Sequence, residues 1–191
     1  MDCTNCAYDK QCRKTETCKV TSFDRDEVIA KYSEESVIVQ AAAELVDFGR
    51  AGTLSRLQET IAFAKKMEYK RIGLAYCYGM EKQVKQITEI FRSNGLNVRP
   101  VSCTVGGLPQ NEVNPESSIC NVSCNPIGQA RQLNHENVDL VVMIGLCLGH
   151  DILFQREVKA DCTTLVVKDR IYDHAPLNEL KTYTHETSHE R

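Results

Sequence analysis

The chain has no long apolar run and no excess of charge of one sign. Its longest hydrophobic stretches fall far short of the roughly 18 residues that a membrane-spanning helix needs. The first residues, MDCTNCAYDKQCRK, contain no apolar segment of the kind found in secretory signals. With a net charge of -3, the protein has no electrostatic basis for binding nucleic acid or an anionic membrane. We therefore expect a cytoplasmic protein that binds neither nucleic acid nor a membrane.

The number of cysteines, in contrast, is unusually high. The composition is otherwise that of a soluble globular protein, with 42% hydrophobic and 26% charged residues in a chain of 191, enough for one ordinary domain and a small appendage. Ten residues are cysteine. Persistent disulfides are rare in a reducing compartment, so clustered cysteines there indicate metal or redox chemistry.

Four of the cysteines lie close together in the polar segment 1–22. Cys3, Cys6, Cys12 and Cys18 follow the spacing C-x2-C-x5-C-x5-C. The segment has almost no apolar side chains, so a bound metal would have to supply its folding free energy. Zinc and a four-iron (4Fe-4S) cluster both accept four thiolates, and the spacing therefore predicts a metal-binding knuckle without choosing the metal. A disordered tail whose thiols have no role is the alternative.

Helical periodicity follows this segment. Apolar residues recur at helical spacing over residues 24–67, and Thr53 or Ser55 is suited to be the N-cap of the second helix. At the other end of the chain, residues 181–191 are predicted to form a polar tail.

An alternation of strands and helices fills residues 70–180. The stretches RIGLAYC, LNVRPVSC, VDLVVMIGLC and TTLVVKD are typical of buried strands, and amphipathic stretches separate them. Pro100 favours an edge position for the second strand. The pattern predicts an α/β domain over residues 23–180, with a doubly wound, Rossmann-like parallel sheet of about four strands.

Cysteines stand where the predicted strands end. Cys77, Cys103 and Cys147 end the first three strands, and Cys124 directly precedes a predicted helix. Because ligands bind at the carboxyl ends of parallel strands, we expect these four thiols to share one rim of the sheet. Helix N-termini after Cys124 and Cys147 would favour the thiolate. Cys120, in the same loop as Cys124, could join them.

Thiols at this rim would suit zinc or a second iron–sulfur cluster as a cofactor. If only three thiolates bound a four-iron cluster, one iron would stay open for substrate. For each cysteine taken alone, a place in the hydrophobic core is the alternative. Cys162 precedes the predicted fourth strand, and we expect it to be a structural residue at the opposite edge.

Charged and titratable residues accompany the thiols on the predicted rim. Lys168, Asp169 and Arg170 end the fourth strand and could hold an anionic or polar substrate, although a solvated strand end is an equal alternative. His150 could be a ligand, a proton donor, or a residue of the first helical turn bonded to the backbone. If the rim is catalytic, His150 and Lys168 would handle protons or substrate.

The stretch GLCLGH also has the form of a nucleophile elbow. It is similar to the elbow of class I glutamine amidotransferases, which implies Cys147 as a nucleophile that attacks an amide. Residues 105–107 could then form an oxyanion hole, and His174 could be the base, oriented by Glu179. The amidotransferase pattern has consecutive histidine, proline and glutamate, however, and HAPLNE departs from it.

Taken together, these strings resemble a family of uncharacterised proteins, a domain of unknown function described only as metal-binding. The resemblance covers nearly the whole chain and rests on the N-terminal cysteines and on GLAYC, CNPIGQARQLN, GLCLGHDILF and KDRIYDHAP. It implies metal binding by the N-terminal cysteines and the use of Cys77, Cys103, Cys124 and Cys147. In the family pattern a lysine usually follows the second-strand cysteine, where this chain has Thr104.

Three hypotheses follow. The first is a metalloprotein with two cysteine sites, binding iron–sulfur clusters or zinc, whose rim performs redox or sulfur-transfer chemistry with Cys147, His150 and Lys168 as catalytic residues. The second is an amidotransferase-like hydrolase with Cys147 as nucleophile. The third is a non-catalytic metal sensor or carrier. The partners expected are metal ions or clusters and a small-molecule substrate or redox partner.

Overall fold

The computed structural model describes residues 1–14 and 16–182. Most of the predicted tail, 181–191, therefore lies outside the described residues. The chain divides into two compact units, Met1–Ala43 and Glu44–Arg191. No helix in the described part of the chain is long and apolar enough to cross a membrane.

The first unit contains a short 3-10 helix, Gln11–Lys14, then α1, Arg25–Glu34, and most of α2, Ser36–Val46. The Asp24 carboxylate accepts two backbone N–H groups of the first turn of α1. These groups have no partner inside the helix, and an aspartate N-cap supplies one. Because α1 buries none of its side chains, this local cap is what defines where the helix begins.

The second unit is built on a sheet of four parallel strands, β1 Arg71–Tyr76, β2 Asn97–Ser102, β3 Leu140–Ile144 and β4 Asp161–Val166. Their order in the sheet is β2-β1-β3-β4. Helices and strands alternate along the chain, which confirms the predicted α/β class with a Rossmann-like parallel sheet. Two further 3-10 helices cover Tyr78–Met80 and Pro176–Lys181. The α-helices of this unit are α3 Arg56–Lys66, α4 Glu81–Ser93, α5 Gln110–Val113, α6 Pro126–His135 and α7 His150–Glu157.

Both faces of the sheet are covered. On one face Ile72 and Leu74 pack in a core cluster with α3 and α4 that includes Phe91. On the other face Val141 packs in a second cluster with α6 and α7 that includes Phe154. Burial on two faces explains why the strands read as continuous apolar runs. Each fully buried phenylalanine contributes about 1.5–3 kcal/mol by the hydrophobic effect.

A glycine allows α6 to approach the sheet closely. A Cβ atom built on Gly73 of β1 would lie 2.9 Å from Cδ2 of Leu133 in α6 and 3.2 Å from Cγ2 of Val138. Real Cβ atoms essentially never show a contact of 2.9 Å, so a larger residue here would force the Leu133 side chain to shift. The position of α6 matters because Pro126 and Gln129, at its start, line the cleft described below.

The strand boundaries agree with the sequence in one case and correct it in another. β2 lies at the edge of the sheet and contains Pro100, as predicted. The fourth strand was expected to cover TTLVVKD, but β4 starts two residues earlier and ends three residues earlier. Cys162 therefore lies inside β4 and not before it. It is partly buried, pairs with Val141, and burial raises its pKa to about 11.

Candidate functional site

The site lies where the order of the strands reverses. From β1 the chain continues to β2 on one side of it, and then returns to β3 on the other side. In open parallel sheets this switch point leaves a crevice at the carboxyl ends of the strands, where ligands bind. Cys77 directly follows β1, and Cys147 lies in the turn that follows β3.

Backbone hydrogen bonds continue the strand pairing past the strand ends and so position the thiols. The N–H of Cys77 donates to the carbonyl of Ile144 at 3.1 Å, and the N–H of Cys103 donates to that of Tyr76 at 2.8 Å. The N–H of Asn125 donates to the carbonyl of Cys103 at 2.6 Å, which brings the start of α6 to the same edge. Four separate segments, the ends of β1, β2 and β3 and the start of α6, are thereby tied together at the switch point.

These segments enclose a tight cleft with no room for a water molecule. All four cysteines that were predicted to share the rim line it, and so does His150. Cys120 does not line it and is exposed on the preceding loop. The shared position of the four thiols is thus a feature of the fold, while their chemical roles stay a prediction. The lining residues are Cys77, Cys103, Cys124, Pro126, Gln129, Leu146, Cys147 and His150.

The thiols form a connected chain of contacts. The Cys124 thiol donates to Cys103 Sγ at 3.5 Å, and the backbone N–H of Tyr78 donates to the same sulfur at 3.4 Å. Cys103 also lies near enough to Cys77 to lower its pKa. Lys168 Nζ donates to Cys77 Sγ at 3.4 Å. Cys77 and Cys103 are only 6% and 3% exposed, so these contacts are made largely out of water.

The contacts place a negative charge on one particular sulfur. The hydrogen bond from Cys103, the backbone N–H of Gly79 and the ammonium of Lys168 together lower the pKa of Cys77 to about 5. The same hydrogen bond, together with burial, raises the pKa of Cys103 well above its ordinary range. The two thiols titrate as a pair. We assign the thiolate to Cys77 and the proton to Cys103, because only Cys77 has a cation beside it.

The fourth thiol has a different partner. Arg170 donates from its guanidinium to Cys147 Sγ at 3.3 Å. Nδ1 of His174 makes its contacts within its own loop. It lies 3.2 Å from the backbone nitrogen of Asp169 and 3.2 Å from the carbonyl oxygen of Val167. The KDR stretch therefore serves two thiols, with Lys168 beside one and Arg170 beside the other.

The turn that carries Cys147 joins a strand to a helix, as a nucleophile elbow does. Its left-handed positions are Gly145, with a φ of 62°, and Gly149, with a φ of 85°. Cys147 is not among the described residues with a positive φ, whereas an elbow nucleophile occupies a strained turn position. His150 begins α7, and its N–H donates to the carbonyl of Cys147 at 3.0 Å.

One polar residue of the cleft, Gln129, is not indicated by the sequence. It is fully buried, and its Nε2 donates to the carbonyls of Tyr76 at 3.1 Å and Val101 at 2.7 Å. Its Oε1 is buried without a hydrogen-bond partner. Glutamine on an amphipathic helix is usually exposed. The available signal was its place in the first turn of α6, close after Cys124.

The N-terminal cysteines line a concavity of their own in the first unit. Backbone N–H groups of Tyr8 and Lys10 hydrogen-bond Cys6 and lower its pKa. This surrounding favours the thiolate, which is the form that binds metal. The predicted ligands found in this concavity are Cys3, Cys6, Cys12 and Cys18.

Metal binding stays a prediction at both sites. Across residues 1–14 and 16–182 no group of three or more histidine, cysteine, aspartate or glutamate side chains is arranged to hold a metal ion. In the cleft the sulfurs hydrogen-bond one another and two cations. Any ion there would have to displace some of these contacts.

The fold and the cleft define an α/β protein with four parallel strands and a thiol-lined crevice at its switch point. The family model described as "Protein of unknown function (DUF1847)" matches residues 13–165, and the chain belongs to this family. It is similar to "Uncharacterized protein MJ0455" of Methanocaldococcus jannaschii, with 38% identity over 174 residues, which cover 88% of this chain and 85% of that protein. No solved structure matches the chain.

Proposed function

We propose that the cleft is a thiol-based redox or sulfur-transfer centre in which Cys77 is the reacting group. The observation that carries this proposal is the contact of the Lys168 ammonium with Cys77 Sγ at 3.4 Å, beside a second pair of thiols in contact, Cys124 and Cys103. A cysteine becomes a nucleophile as its thiolate, and a neighbouring cation favours that form. A second thiol next to it provides the partner that thiol–disulfide exchange needs.

The redox step can be written for a small disulfide substrate. The Cys77 thiolate attacks one sulfur, a new S–S bond forms, and the electron pair of the broken bond leaves on the first substrate thiolate. Cys103 gives its proton to that thiolate and then attacks Cys77 Sγ, which releases the second substrate thiolate. The protein ends with a Cys77–Cys103 disulfide, and the substrate ends as two reduced sulfurs.

The neighbours of the two reacting thiols support both halves of this exchange. Lys168 stabilises the attacking thiolate through its ammonium group. When Cys103 has lost its proton, the S–H of Cys124 and the N–H of Tyr78 still point at its sulfur and stabilise the negative charge. The second attack therefore starts from a thiolate that two donors support.

The amidotransferase-like hydrolase has less support. The contact made by Cys147 Sγ is with the guanidinium of Arg170, a group that cannot accept a proton. The histidine expected as base, His174, has Nδ1 engaged by its own loop. Catalytic roles for Cys147 and His150 accordingly rank below the role proposed for Cys77.

Trapping of the mixed disulfide tests the redox proposal. Cys103→Ser protein mixed with cystamine should accumulate one adduct, located at Cys77 by peptide mass mapping. Wild-type protein should instead lose the adduct and form an internal disulfide. Cys120→Ser is the matched control, because Cys120 is exposed outside the cleft. An adduct that forms on Cys120 while Cys77 stays unmodified would refute the proposal.

A second function, metal binding by the N-terminal cysteines, is favoured by a separate observation. These four cysteines line one concavity, and Cys6 lies in surroundings that favour its thiolate. Four thiolates suit zinc or a 4Fe-4S cluster. The segment carries few apolar side chains, so the free energy of metal binding would order it.

Metal analysis of anaerobically purified protein tests this second function. We expect the double variant Cys6→Ser, Cys12→Ser to lose most of the bound metal, and Cys120→Ser to keep it. Visible charge-transfer absorption would identify an iron–sulfur cluster, and a colourless protein with zinc would exclude one. Equal metal content in both variants would contradict this assignment. Bound metal without any thiol exchange at Cys77 would favour the non-catalytic sensor or carrier.

A further inference from the structure

The two edges of the sheet differ in how they are protected. β2 forms one edge and β4 the other. The backbone N–H groups of Asn97 and Cys103 point towards β1, so by alternation Pro100 faces the open side of β2. Proline has no N–H, and this edge therefore resists the addition of another strand. β4 contains neither a proline nor a lysine, two of the residues that commonly protect an edge.

The outer side of β4 presents backbone groups that pair with no strand. In β3 the carbonyl of Ile144 accepts a bond from the β1 side, so Val141 and Met143 are the residues that bond β4. Hydrogen bonds between parallel strands slant to the residues on either side of the partner. The partners themselves, Cys162 and Thr164, therefore turn their N–H and C=O groups outward. Over the described part of the chain no strand lies on that side.

One protected edge and one open edge favour a second copy of this chain as the occupant. Pairing of β4 with β2 of another copy would extend without limit, but Pro100 opposes it. Pairing of β4 with itself is isologous and closes at two copies. The residues of this sequence outside the described part, 15 and 183–191, lack the alternating apolar side chains that favour a strand.

Charges on one face of β4 select the register of such a pair. The pairing with β3 skips Leu165, so the regular part of β4 ends before it. Asp161 and Thr163 share one face, and Arg56 Nη2 of α3 donates to Thr163 Oγ1 at 2.7 Å. A two-fold axis at Cys162 places Asp161 opposite Thr163 of the second copy, next to the guanidinium that contacts it. An axis at Thr163 would instead bring two Arg56 side chains together.

We propose that two copies of this chain form a dimer by antiparallel pairing of β4 with β4, with the two-fold axis at Cys162. The N–H and C=O groups of Cys162 bond those of the same residue in the second copy, and those of Thr164 bond Ala160. Ion pairs between Arg56 and Asp161 lie on both sides of the axis. The two sheets become one sheet of eight strands. This inference is independent of the chemistry proposed for the cleft.

Charge reversal tests the interface and its register together. Arg56→Glu sets two carboxylates side by side, and Asp161→Arg sets two guanidinium groups side by side. The dimer dissociation constant of each variant alone should rise at least about tenfold, because like charges in contact repel strongly. An equimolar mixture of the two variants restores two opposite-charge pairs in the mixed dimer, so dimers should return. Sedimentation equilibrium of the full-length proteins measures each constant.

The mixture also shows that both variants are folded, because only folded copies can restore the dimer. Arg131→Glu is the matched control. Arg131 forms its ion pair with Glu157, between α6 and α7 and not at β4, so this variant should dimerise like wild type. An equal loss of dimer in the control would mean that net charge and not the β4 edge governs association, which would overturn the proposal.

A proline at the open edge tests the backbone bonds. Thr164→Pro removes an outward N–H from each copy, and thus two hydrogen bonds from the dimer. We expect its dissociation constant to rise at least about tenfold, and that of Thr164→Val, which keeps the N–H, to stay within about twofold. Equal far-UV circular dichroism of the two variants checks that the sheet persists.

The remaining outcomes decide between the parts of the inference. Wild-type protein that is still monomeric at a concentration of about 1 mM would overturn it. Dimers that persist unchanged in Thr164→Pro and in both charge variants would place the interface elsewhere and overturn it as well. Dissociation in Thr164→Pro, without any effect of charge reversal, would support the paired edge and refute the register.

Discussion

At the scale of single residues, the chemistry of the cleft depends on which thiol is charged. Cys77 receives hydrogen bonds from Cys103 and from the backbone of Gly79, and it has the ammonium of Lys168 at 3.4 Å. A thiol with a pKa near 5 is almost fully ionised at neutral pH. Cys103 keeps its proton, so the pair is a nucleophile next to a proton donor.

Removal of the Lys168 ammonium should raise the pKa of Cys77. A cation at this distance lowers the pKa of an acid by about one unit or more, so in Lys168→Met the midpoint of Cys77 alkylation against pH should move up by about one unit. Mass mapping with iodoacetamide measures this midpoint. In Lys82→Met, which removes an exposed lysine of α4 that does not line the cleft, the midpoint should stay the same. An unchanged midpoint in Lys168→Met would show that this cation has no influence on the pKa of Cys77.

Gln129 should also contribute to stability. Gln129→Met leaves the carbonyls of Tyr76 and Val101 without their side-chain donor, which should cost about 1–3 kcal/mol. Urea unfolding at neutral pH measures the difference. Gln132→Met, three residues further along α6, removes only a partly exposed contact with Glu136 and should cost about 0.5 kcal/mol or less. Equal losses in both variants would contradict the anchoring role of Gln129.

At the scale of secondary structure, the sequence predicts more of the fold than of the site. Hydrophobic runs locate the strands, Pro100 places β2 at the edge, and the strand ends indicate that Cys77, Cys103 and Cys147 come together. Local patterns do not reveal which side chains meet across segments. Gln129 escaped prediction because its burial depends on the carbonyls at the ends of two strands, and these neighbours exist only in the assembled sheet.

The N-cap of α3 shows how a local sequence signal determines where a helix begins. Both Thr53 and Ser55 were candidates for the N-cap, and the structure assigns the role to Ser55, which forms a capping box with Gln58. Ser55→Ala should lower the free energy of unfolding by about 1 kcal/mol. Thr53 Oγ1 donates to the carbonyl of Arg50 outside the helix, so Thr53→Ala should have a smaller effect. Urea unfolding measures both losses. A larger loss of stability in Thr53→Ala than in Ser55→Ala would contradict this assignment.

At the scale of the whole molecule, the cleft exists only when distant parts of the chain meet. Its thiols and Lys168 come from segments after β1, β2, β3 and β4 and before α6. In the unfolded chain Cys77 has no such neighbours and regains an ordinary pKa near 9.0. The shift in its pKa is therefore coupled to folding.

This coupling predicts a pH dependence of stability. Because folding lowers the pKa of Cys77, its thiolate stabilises the fold fully above the unfolded value and loses this effect as the pH falls towards about 5. The difference in unfolding free energy between wild type and Cys77→Ser should thus grow from pH 5 to pH 9.0. Urea unfolding across this range measures it. A difference that stays constant with pH would mean that folding does not shift this thiol.

The most direct measurement is the order in which the ten cysteines of the native protein react with iodoacetamide at a pH of about 6, where ordinary thiols are protonated. We expect Cys77 to be alkylated ahead of the exposed Cys120, even though Cys77 is only 6% exposed. Modification of Cys120 first, with Cys77 unreacted until the protein unfolds, would contradict the assignment of the cleft as a thiolate centre.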